Sequence, residues 1–249
     1  MMSVLLDQLI DMSRALSEPS LDYVILGEGN TSVIADEDTF WVKASGTQLA
    51  QADHESFVRV KFEPVLNALD GEVLSDEAVK DLLVAATVEG SKAPSIETFL
   101  HALCLRLDGV LFVGHTHPTA ALSLLCSRQS RELFAGSMFP DQIVLLGPSY
   151  VYIPYTDPGL PLALAVREGI EQFVETEGRV PKVILMENHG VIALGGTVQD
   201  VLNVTQMLVK TCRIAAGTVA GGGPRFLSDH NVERIDQRPD ELARRQRLR

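Results

Sequence analysis

Two histidines stand two positions apart where a short apolar segment ends. His115 and His117 follow residues 110–113 (VLFV), a run bounded by glycines that predicts a buried strand. Side chains alternate along a strand, so both imidazoles share one face, with α-carbons about 6.6 Å apart. Two ring nitrogens at that spacing can bind one zinc ion, which takes histidine nitrogens at about 2.0–2.1 Å. The motif also arises by chance in a chain with six histidines, so a purely structural role stays open.

A third histidine follows another apolar run. Residues 183–186 (VILM) predict a second buried strand, and Glu187, Asn188 and His189 come directly after it. A catalytic zinc site commonly has three protein ligands and one open position for water or substrate. His189 is therefore a candidate third ligand. The alternative is a hydrogen-bonded histidine of the core or of a turn, and spacing along the chain does not separate the two.

Glu97 is the candidate acid or base. Residues 94–109 (PSIETFLHALCLRLDG) carry apolar side chains at three- to four-residue intervals, which predicts a helix that Ser95 is placed to cap. The amide dipoles in the first turn of a helix favour an ionised carboxylate, so Glu97 would be available as a base. The alternative is that Glu97 only supports the start of the helix. His101 lies one turn further on the same face and is interpreted as a structural residue.

Two loops could contact an anion. The loop GEGNTS (27–32) contains two glycines, and KASG (43–46) offers a cation, a hydroxyl and a flexible backbone. Glycine-rich turns present backbone amides to anions, although a plain tight turn is an equal alternative. The first loop is not a dinucleotide-binding fingerprint, because Ser32 replaces the last glycine and a hairpin follows it. The sequence contains no P-loop motif.

The elements that must position these residues form an α/β pattern. Helices are predicted where apolar residues recur every three to four positions, at 5–16, 96–107, 162–173 and 198–212, the last behind a Thr197/Asp200 capping box. Strands are predicted at 23–26, 31–35, 39–42, 110–113, 143–146, 150–155, 183–186 and 191–194. This layout is typical of a sheet with helices on both faces. We expect a single domain over 1–223, followed by a charged C-terminal surface tail over 224–249.

Composition limits the kinds of partner. The chain has 249 residues, of which 46% are hydrophobic, enough for one substantial core. Its formal net charge of -12 disfavours nucleic acid and anionic membrane surfaces, while a small anionic substrate is compatible because a local field can oppose the net charge. The three widely spaced cysteines predict no disulfide framework. With no basic leader and no apolar run long enough to span a membrane, the sequence predicts a cytoplasmic protein.

Five motifs, taken in order, resemble those of the class II aldolase/adducin family. They are GEGNTS (27–32), KASG (43–46), PSIE (94–97), HTHP (115–118) and ENHG (187–190). The chain looks similar to aldolases of the fuculose-phosphate and rhamnulose-phosphate type, and the match spans most of its length. The resemblance implies a three-layer α/β/α fold on a mixed, mostly antiparallel central sheet. It also implies a homotetramer with active sites at subunit interfaces.

The resemblance assigns roles to particular residues. It implies that His115, His117 and His189 bind zinc or another divalent metal, and that Glu97 is the acid/base residue. It also implies a pocket for the phosphate of the substrate, lined by Gly29, Asn30, Ser45, Gly46 and Ser95. The chain departs from the fuculose-phosphate aldolase pattern at Ile96, where that pattern has a second serine, so one hydroxyl contact to the phosphate is missing.

A tyrosine of the family has no clear match in this chain. The aldolases of the family use a tyrosine from a neighbouring subunit for proton transfer at the leaving aldehyde oxygen. None of the five motifs places that residue here. The nearest candidates are Tyr150, Tyr152 and Tyr155.

The implied reaction is the reversible cleavage of a short ketose phosphate into dihydroxyacetone phosphate and an aldehyde. Zinc would act as a Lewis acid, and Glu97 would transfer the proton. One alternative uses the same metal site as a sugar-phosphate epimerase, a dehydratase or a sugar-acid-phosphate decarboxylase. A second alternative is a non-catalytic, adducin-like interaction module, against which the complete set of three histidines and Glu97 argues.

Overall fold

A single mixed sheet forms the centre of the molecule in the computed structural model, which describes residues 2–71 and 74–248. The strands in these ranges are β1 (Asn30–Ile34), β2 (Thr39–Lys43), β3 (Phe57–Lys61), β4 (Thr87–Glu89), β5 (Phe112–Thr116), β6 (Val151–Ile153), β7 (Val183–Met186) and β8 (Gly190–Gly195). Their order is β4-β3-β2-β1-β5-β8-β7-β6. Only β6 and β7 are parallel among these described neighbours. The predicted mixed, mostly antiparallel sheet is confirmed.

Helices cover both faces of this sheet. In the described ranges they are α1 (Met2–Leu16), α2 (Phe62–Asn67), α3 (Asp76–Ala86), α4 (Thr98–Leu105), α5 (Thr119–Leu125), α6 (Ser130–Leu133), α7 (Pro140–Leu146), α8 (Leu160–Glu177), α9 (Val198–Val219), α10 (Asp229–Asp236) and α11 (Pro239–Arg247). One apolar cluster joins the sheet to α2, α3, α4 and α8, and a second joins its other face to α1, α5, α7 and α9. Ile184 and Leu185 of β7 belong to different clusters, as alternation along a strand requires, and the fold is the predicted three-layer α/β/α. None of the helices in the described part of the chain is both long enough and apolar enough to cross a membrane.

Strand pairing brings three chain segments to one end of the sheet. Asn30, the first residue of β1, lies opposite His115 of β5. β8 pairs with β5 on one side and with β7 on the other. The β7–β8 turn, residues 187–189, therefore lies beside the end of β5, where His117 follows.

The predicted strand at 143–146 is wrong, because these residues belong to α7. This helix begins at Pro140, and proline is favoured at the first helical position because its fixed φ suits the helix and it has no N–H to satisfy. Ile143 and Val144 are buried against Ile235 of α10. A run of four apolar residues does not distinguish a buried helix from a buried strand.

The predicted strand at 23–26 is also wrong. Asp22 and Leu26 have φ angles of 58° and 51°, in the left-handed region that extended chains do not use. The segment instead forms a turn that contacts the end of β5, where the Tyr23 carbonyl oxygen accepts a 2.9 Å hydrogen bond from the His117 N–H. The glycine loop is therefore entered from a turn that is fixed to the histidine segment.

The charged C-terminal segment forms two helices, and these helices contact the rest of the molecule. α10 and α11 both contact α7, and Ile235 is buried there. Arg245 of α11 donates hydrogen bonds to the carbonyl oxygens of Ile143 (3.3 Å) and Val144 (2.8 Å), near the end of α7. The domain boundary at residue 223 stays a prediction.

Candidate metal centre

Three histidines converge at this end of the sheet. Ring nitrogens of His115, His117 and His189 all lie within 4.8 Å of one another. The Nε2 atoms of His115 and His117 are 2.9 Å apart, and the three rings meet edge to face, with centroids separated by 4.7 to 5.3 Å. The strand order β5-β8-β7 explains the convergence, because it sets the β7–β8 turn against the end of β5.

The donor atoms fit a divalent metal ion. The Nδ1 atom of His115 lies 3.0 Å from the Val191 carbonyl oxygen, which can only accept. When the ring is neutral, Nδ1 therefore carries its proton, and the Nε2 lone pair faces the other histidines. A carbonyl behind a ligand histidine is the usual way in which proteins fix this tautomer. The Nδ1 atom of His189 is buried and has no hydrogen-bond partner within the described residues. Three imidazoles are a donor set that suits zinc and related divalent ions.

Gly190 allows the histidine-bearing turn to approach β5. A Cβ atom at this position would lie 2.6 Å from His117 Cδ2, 2.8 Å from the Thr116 carbonyl oxygen and 3.1 Å from His115 Cε1. Real Cβ atoms essentially never approach within 3.0 Å, and the Thr116 carbonyl belongs to the backbone of β5. The glycine is therefore required for the three rings to meet.

Glu97 lies directly beside this cluster. It is the N-cap residue of α4, directly before the helix, whereas the sequence predicted it within the first turn. Its Oε1 atom lies 2.9 Å from His189 Nε2, and its Oε2 atom lies 3.5 Å from His115 Nε2 and 2.5 Å from Asn30 Nδ2. The side chain is 12% exposed. The structure thus brings the candidate base against the candidate ligands.

The ionisation of these groups follows from their pairing. Burial alone would raise the pKa of the Glu97 carboxyl, but the charge of His115 and hydrogen bonds from His115 and His189 hold that pKa well below its usual range. Burial would lower the pKa of His115, but the Glu97 carboxylate outweighs burial and raises it. Burial and the neighbouring histidines lower the pKa of His117 to about 3, which leaves its ring neutral and able to bind a metal.

The loops predicted to bind phosphate lie side by side next to Glu97. The Ser45 N–H donates to the Ala93 carbonyl oxygen (2.8 Å), and the Ser95 N–H donates to the Lys43 carbonyl oxygen (3.3 Å). The buried Lys43 ammonium donates to the carbonyl oxygen of Gly27 (3.2 Å), so the 27–32 loop joins the same group.

The individual residues of these loops differ in exposure, hydrogen bonding and backbone conformation. Ser45 and Gly46 are exposed, and Ser95 is half-buried. Ser95 does not cap α4 as predicted, since the helix begins at Thr98 and the Ser95 hydroxyl accepts from the Glu97 N–H within the preceding turn. Gly29 has φ of 68°, and a Cβ there would lie 2.7 Å from the His115 carbonyl oxygen.

Asn30 and His101 form part of the site in a way that the sequence did not reveal. Asn30 is buried, and its side-chain amide bonds to Glu97 on one side and to His101 Nε2 on the other, so it is engaged with the carboxylate. His101 was interpreted as structural. Its position one turn after Glu97 was the available signal that the two could be linked.

The candidate tyrosines differ in exposure. The Tyr150 hydroxyl is buried and accepts from Gln142 Nε2 (2.7 Å), and the Tyr152 hydroxyl donates to Ser130 Oγ (2.7 Å). Tyr155 is 57% exposed, and its N–H donates to the carboxylate of Glu187, in the turn that carries His189. Its hydroxyl donates to Asp157 Oδ1 (3.0 Å) at the surface, so Tyr155 is the most exposed of the three.

A chain with this fold, and with three histidines beside a glutamate, matches a known protein family. Residues 7–216 match the family model described as Class II Aldolase and Adducin N-terminal domain. The chain belongs to the class II aldolase/adducin family.

Two curated proteins and one solved structure are similar to this chain. The uncharacterized oxidoreductase YuxG of Bacillus subtilis is 28% identical over 193 residues, 74% of this chain, but the matched part is only 26% of that longer protein. The 3-oxo-tetronate 4-phosphate decarboxylase of Haemophilus influenzae is 25% identical over 230 residues, 92% of this chain and 95% of its own length. The structure of an L-fuculose 1-phosphate aldolase superposes with a TM-score of 0.70 at 19% identity, covering 94% of this chain and 95% of the other, and shows the shared fold.

Proposed function

We propose that this protein is a divalent-metal-dependent aldehyde-lyase that cleaves a short ketose phosphate into dihydroxyacetone phosphate and an aldehyde. The observation that carries the proposal is the position of Glu97, whose carboxylate oxygens lie 2.9 Å from His189 Nε2 and 3.5 Å from His115 Nε2. A base held beside a metal site suits proton transfer at a carbon whose developing charge the metal stabilises. Membership of the class II aldolase/adducin family supports the same reading.

The roles of the residues follow from the chemistry of the cleavage. His115, His117 and His189 would hold the metal, for which zinc is the ion we propose. When bound, the metal supplies Lewis-acid stabilisation of the negative charge that develops as the carbon–carbon bond breaks. The cleavage moves one proton from the hydroxyl of the carbon that becomes the aldehyde to the carbon that becomes the new CH2OH group. Glu97 carries a proton in this transfer, because its low pKa keeps the carboxylate ionised and ready to accept one.

We assign the phosphate of the substrate to the loops that carry Gly29, Ser45, Gly46 and Ser95. The adjacency of these loops to Glu97 supports the assignment. For Asn30, the 2.5 Å hydrogen bond to Glu97 favours a place beside the reacting carbon over a phosphate contact through its side chain.

We extend the proposal to a homotetramer whose sites lie at subunit interfaces, with Tyr155 as the tyrosine supplied to a neighbouring site. Exposed apolar side chains around the site support a covered surface there. They are Ile25 (60% exposed), Leu26 (77%), Ile96 (44%) and Tyr155 (57%). Light scattering tests this extension, since a fully active monomer would contradict a shared site.

Decarboxylation is the second candidate reaction, because the Haemophilus influenzae decarboxylase aligns with 92% of this chain. The two reactions are chemically close. A 3-oxo-tetronate 4-phosphate has a ketone next to a hydroxyl-bearing carbon that also carries the carboxylate. Loss of carbon dioxide leaves the bonding electron pair on that hydroxyl-bearing carbon, and protonation gives dihydroxyacetone phosphate. Both candidates therefore yield the same triose phosphate and differ in the second product.

A panel of substrates separates these reactions. The zinc-loaded enzyme is incubated with L-fuculose 1-phosphate, L-rhamnulose 1-phosphate and 3-oxo-tetronate 4-phosphate, and triose phosphate, aldehyde and carbon dioxide are each measured. Glu97→Gln, which keeps the shape of the side chain but not its basicity, is the matched control. We expect triose phosphate with an aldehyde from a ketose phosphate, and a rate about 10²–10⁴-fold lower in the variant.

Two other outcomes would contradict parts of the proposal. Carbon dioxide without aldehyde would replace the lyase proposal with the decarboxylase. Turnover that Glu97→Gln leaves unchanged would contradict the assigned role of Glu97.

A further inference from the structure

A chain of hydrogen bonds leads from Glu97 into the core. Asn30 Nδ2 lies 2.5 Å from Glu97 Oε2, Asn30 Oδ1 contacts His101 Nε2 through a short hydrogen bond, and His101 Nδ1 lies 2.6 Å from Ser32 Oγ. Ser32, His101, Asn30 and Glu97 are 0%, 1%, 3% and 9% exposed. Polar groups buried to this degree need hydrogen-bond partners, and the series supplies them within the chain.

The direction of every hydrogen bond follows from the carboxylate outward. Ionised Glu97 only accepts, so Asn30 must present its NH2 group to Oε2 and hence its carbonyl oxygen to His101. That carbonyl only accepts, so His101 must carry its proton on Nε2. Nδ1 is then an acceptor, and the Ser32 hydroxyl donates to it. One tautomer of His101 satisfies the whole series.

We propose that His101 is a positioning residue for the site, in which its Nε2–H group holds the Asn30 amide with the NH2 group toward Glu97 Oε2. Without this donor, the Asn30 amide could turn by 180° and place its carbonyl oxygen against the carboxylate. With it, Oε2 is occupied by a fixed donor and Oε1 is the oxygen directed at His189. The kinetic part of this inference rests on the proposed role of Glu97; the tautomer does not.

The surroundings of His101 support a single, constant protonation state. Full burial, together with the neighbouring His115, lowers the pKa of His101 to about 3 against the opposing charge of Glu97. The ring is therefore neutral over the working range of most enzymes and carries one N–H group. If His101 only filled space, an apolar side chain of similar shape could replace it, and its tautomer would not matter.

The tautomer is measured first, by long-range 1H–15N NMR correlation on the full-length protein with labelled histidine. The His101 signals are identified by their loss in His101→Gln. We expect the Nε2–H tautomer, in both the metal-free and the zinc-loaded protein. An Nδ1–H tautomer would overturn the inference, whatever reaction the enzyme catalyses.

The positioning role is then tested by kinetics on the substrate that the panel identifies. His101→Leu is expected to lower kcat by about 10- to 100-fold with little change in KM or in bound zinc, because supporting residues around a metal site carry effects of that size. His101→Gln, whose amide can donate at the Nε2 position, should recover part of kcat. Cys104→Ala, another fully buried change in α4 at a side chain that has no hydrogen bond to the series, is the matched control for loss of packing.

Two results would overturn the positioning role. The first is a His101→Leu protein with the kcat of the parent. The second is a kcat that Cys104→Ala lowers to the same extent. If His101→Leu does not fold, Ser32→Ala removes only the hydroxyl that donates to Nδ1, and an unchanged kcat there would contradict the inference. If no substrate in the panel is turned over, the proposed function fails, while the tautomer still tests the hydrogen-bond series.

Discussion

Asn30 Nδ2 lies 2.5 Å from Glu97 Oε2, at the point where the start of β1 meets the N-terminus of α4. Asn30 also lies opposite His115 in the β1–β5 pair. One residue therefore links the strand that bears the histidines to the helix that bears the carboxylate. A carboxylate with a donor on Oε2 and a histidine nitrogen at Oε1 is strongly favoured in its ionised form.

Asn30→Asp should shift the acid limb of the pH–rate profile to higher pH. The wild-type Glu97 pKa lies well below its ordinary range, so its basic form is present throughout the neutral range. A second carboxylate at hydrogen-bond distance would share a proton with Glu97 and hold it to higher pH, since two adjacent like charges are disfavoured. Activity should fall at neutral pH and recover as the pH rises. The measurement is kcat against pH, and a profile that matches the parent would refute the close contact.

Gly190→Ala should reduce metal binding without unfolding the protein. The added methyl group would lie 2.8 Å from the Thr116 carbonyl oxygen and 2.6 Å from His117 Cδ2, so the turn or the rings must move. We expect a loss of bound zinc of at least about tenfold, because ligand geometry at metal sites tolerates little displacement. Gly217→Ala is the control, since a Cβ there meets open space in α9. Equal zinc content in the two variants would be inconsistent with the observed packing.

Asp236 should contribute to stability in a pH-dependent way. Burial would raise the pKa of its carboxyl, but hydrogen bonds from Arg179 (2.8 Å) and Arg245 (2.7 Å) outweigh burial and lower it. A pKa lowered in the folded state gives stability that is present above the unfolded-state pKa, about 3.9, and is lost as the pH falls through the folded-state pKa.

Urea unfolding of the parent and Asp236→Asn from pH 7 to pH 3 checks this expectation. The free energy of unfolding of the parent should exceed that of the variant at pH 7. The difference should shrink below about pH 4, as the carboxyl takes up a proton. A difference that stays constant over the whole range would show that the two arginines do not stabilise the carboxylate form.

Much of the metal site could be predicted because its residues follow buried strands. Alternation along β5 places His115 and His117 on one face. His189 directly follows a predicted strand, so the sequence places it at one end of the sheet. Spacing along the chain does not give the order of strands, so the convergence of His189 with the other two depended on the β5-β8-β7 pairing. The resemblance to the class II aldolase/adducin family implied that the three histidines bind one metal, and the structure brings their rings together.

Other parts depended on contacts that no local pattern encodes. The run at 143–146 has the composition of a strand, and it is a helix because Pro140 starts it and α9 and α10 cover it. The link from His101 to Glu97 passes through Asn30, which lies 67 positions before the carboxylate in the chain. A side chain that bonds to so distant a partner is found only when the fold is known.

The most direct test of the account is the metal content of the purified protein, measured by mass spectrometry beside His117→Ala. We expect about one zinc ion per chain in the parent after incubation with zinc and removal of the excess, and a large loss in the variant. Circular dichroism of both proteins confirms that the fold is retained. Little metal in both proteins would contradict the three-histidine site, and the non-catalytic, adducin-like alternative would then be the better account of the chain.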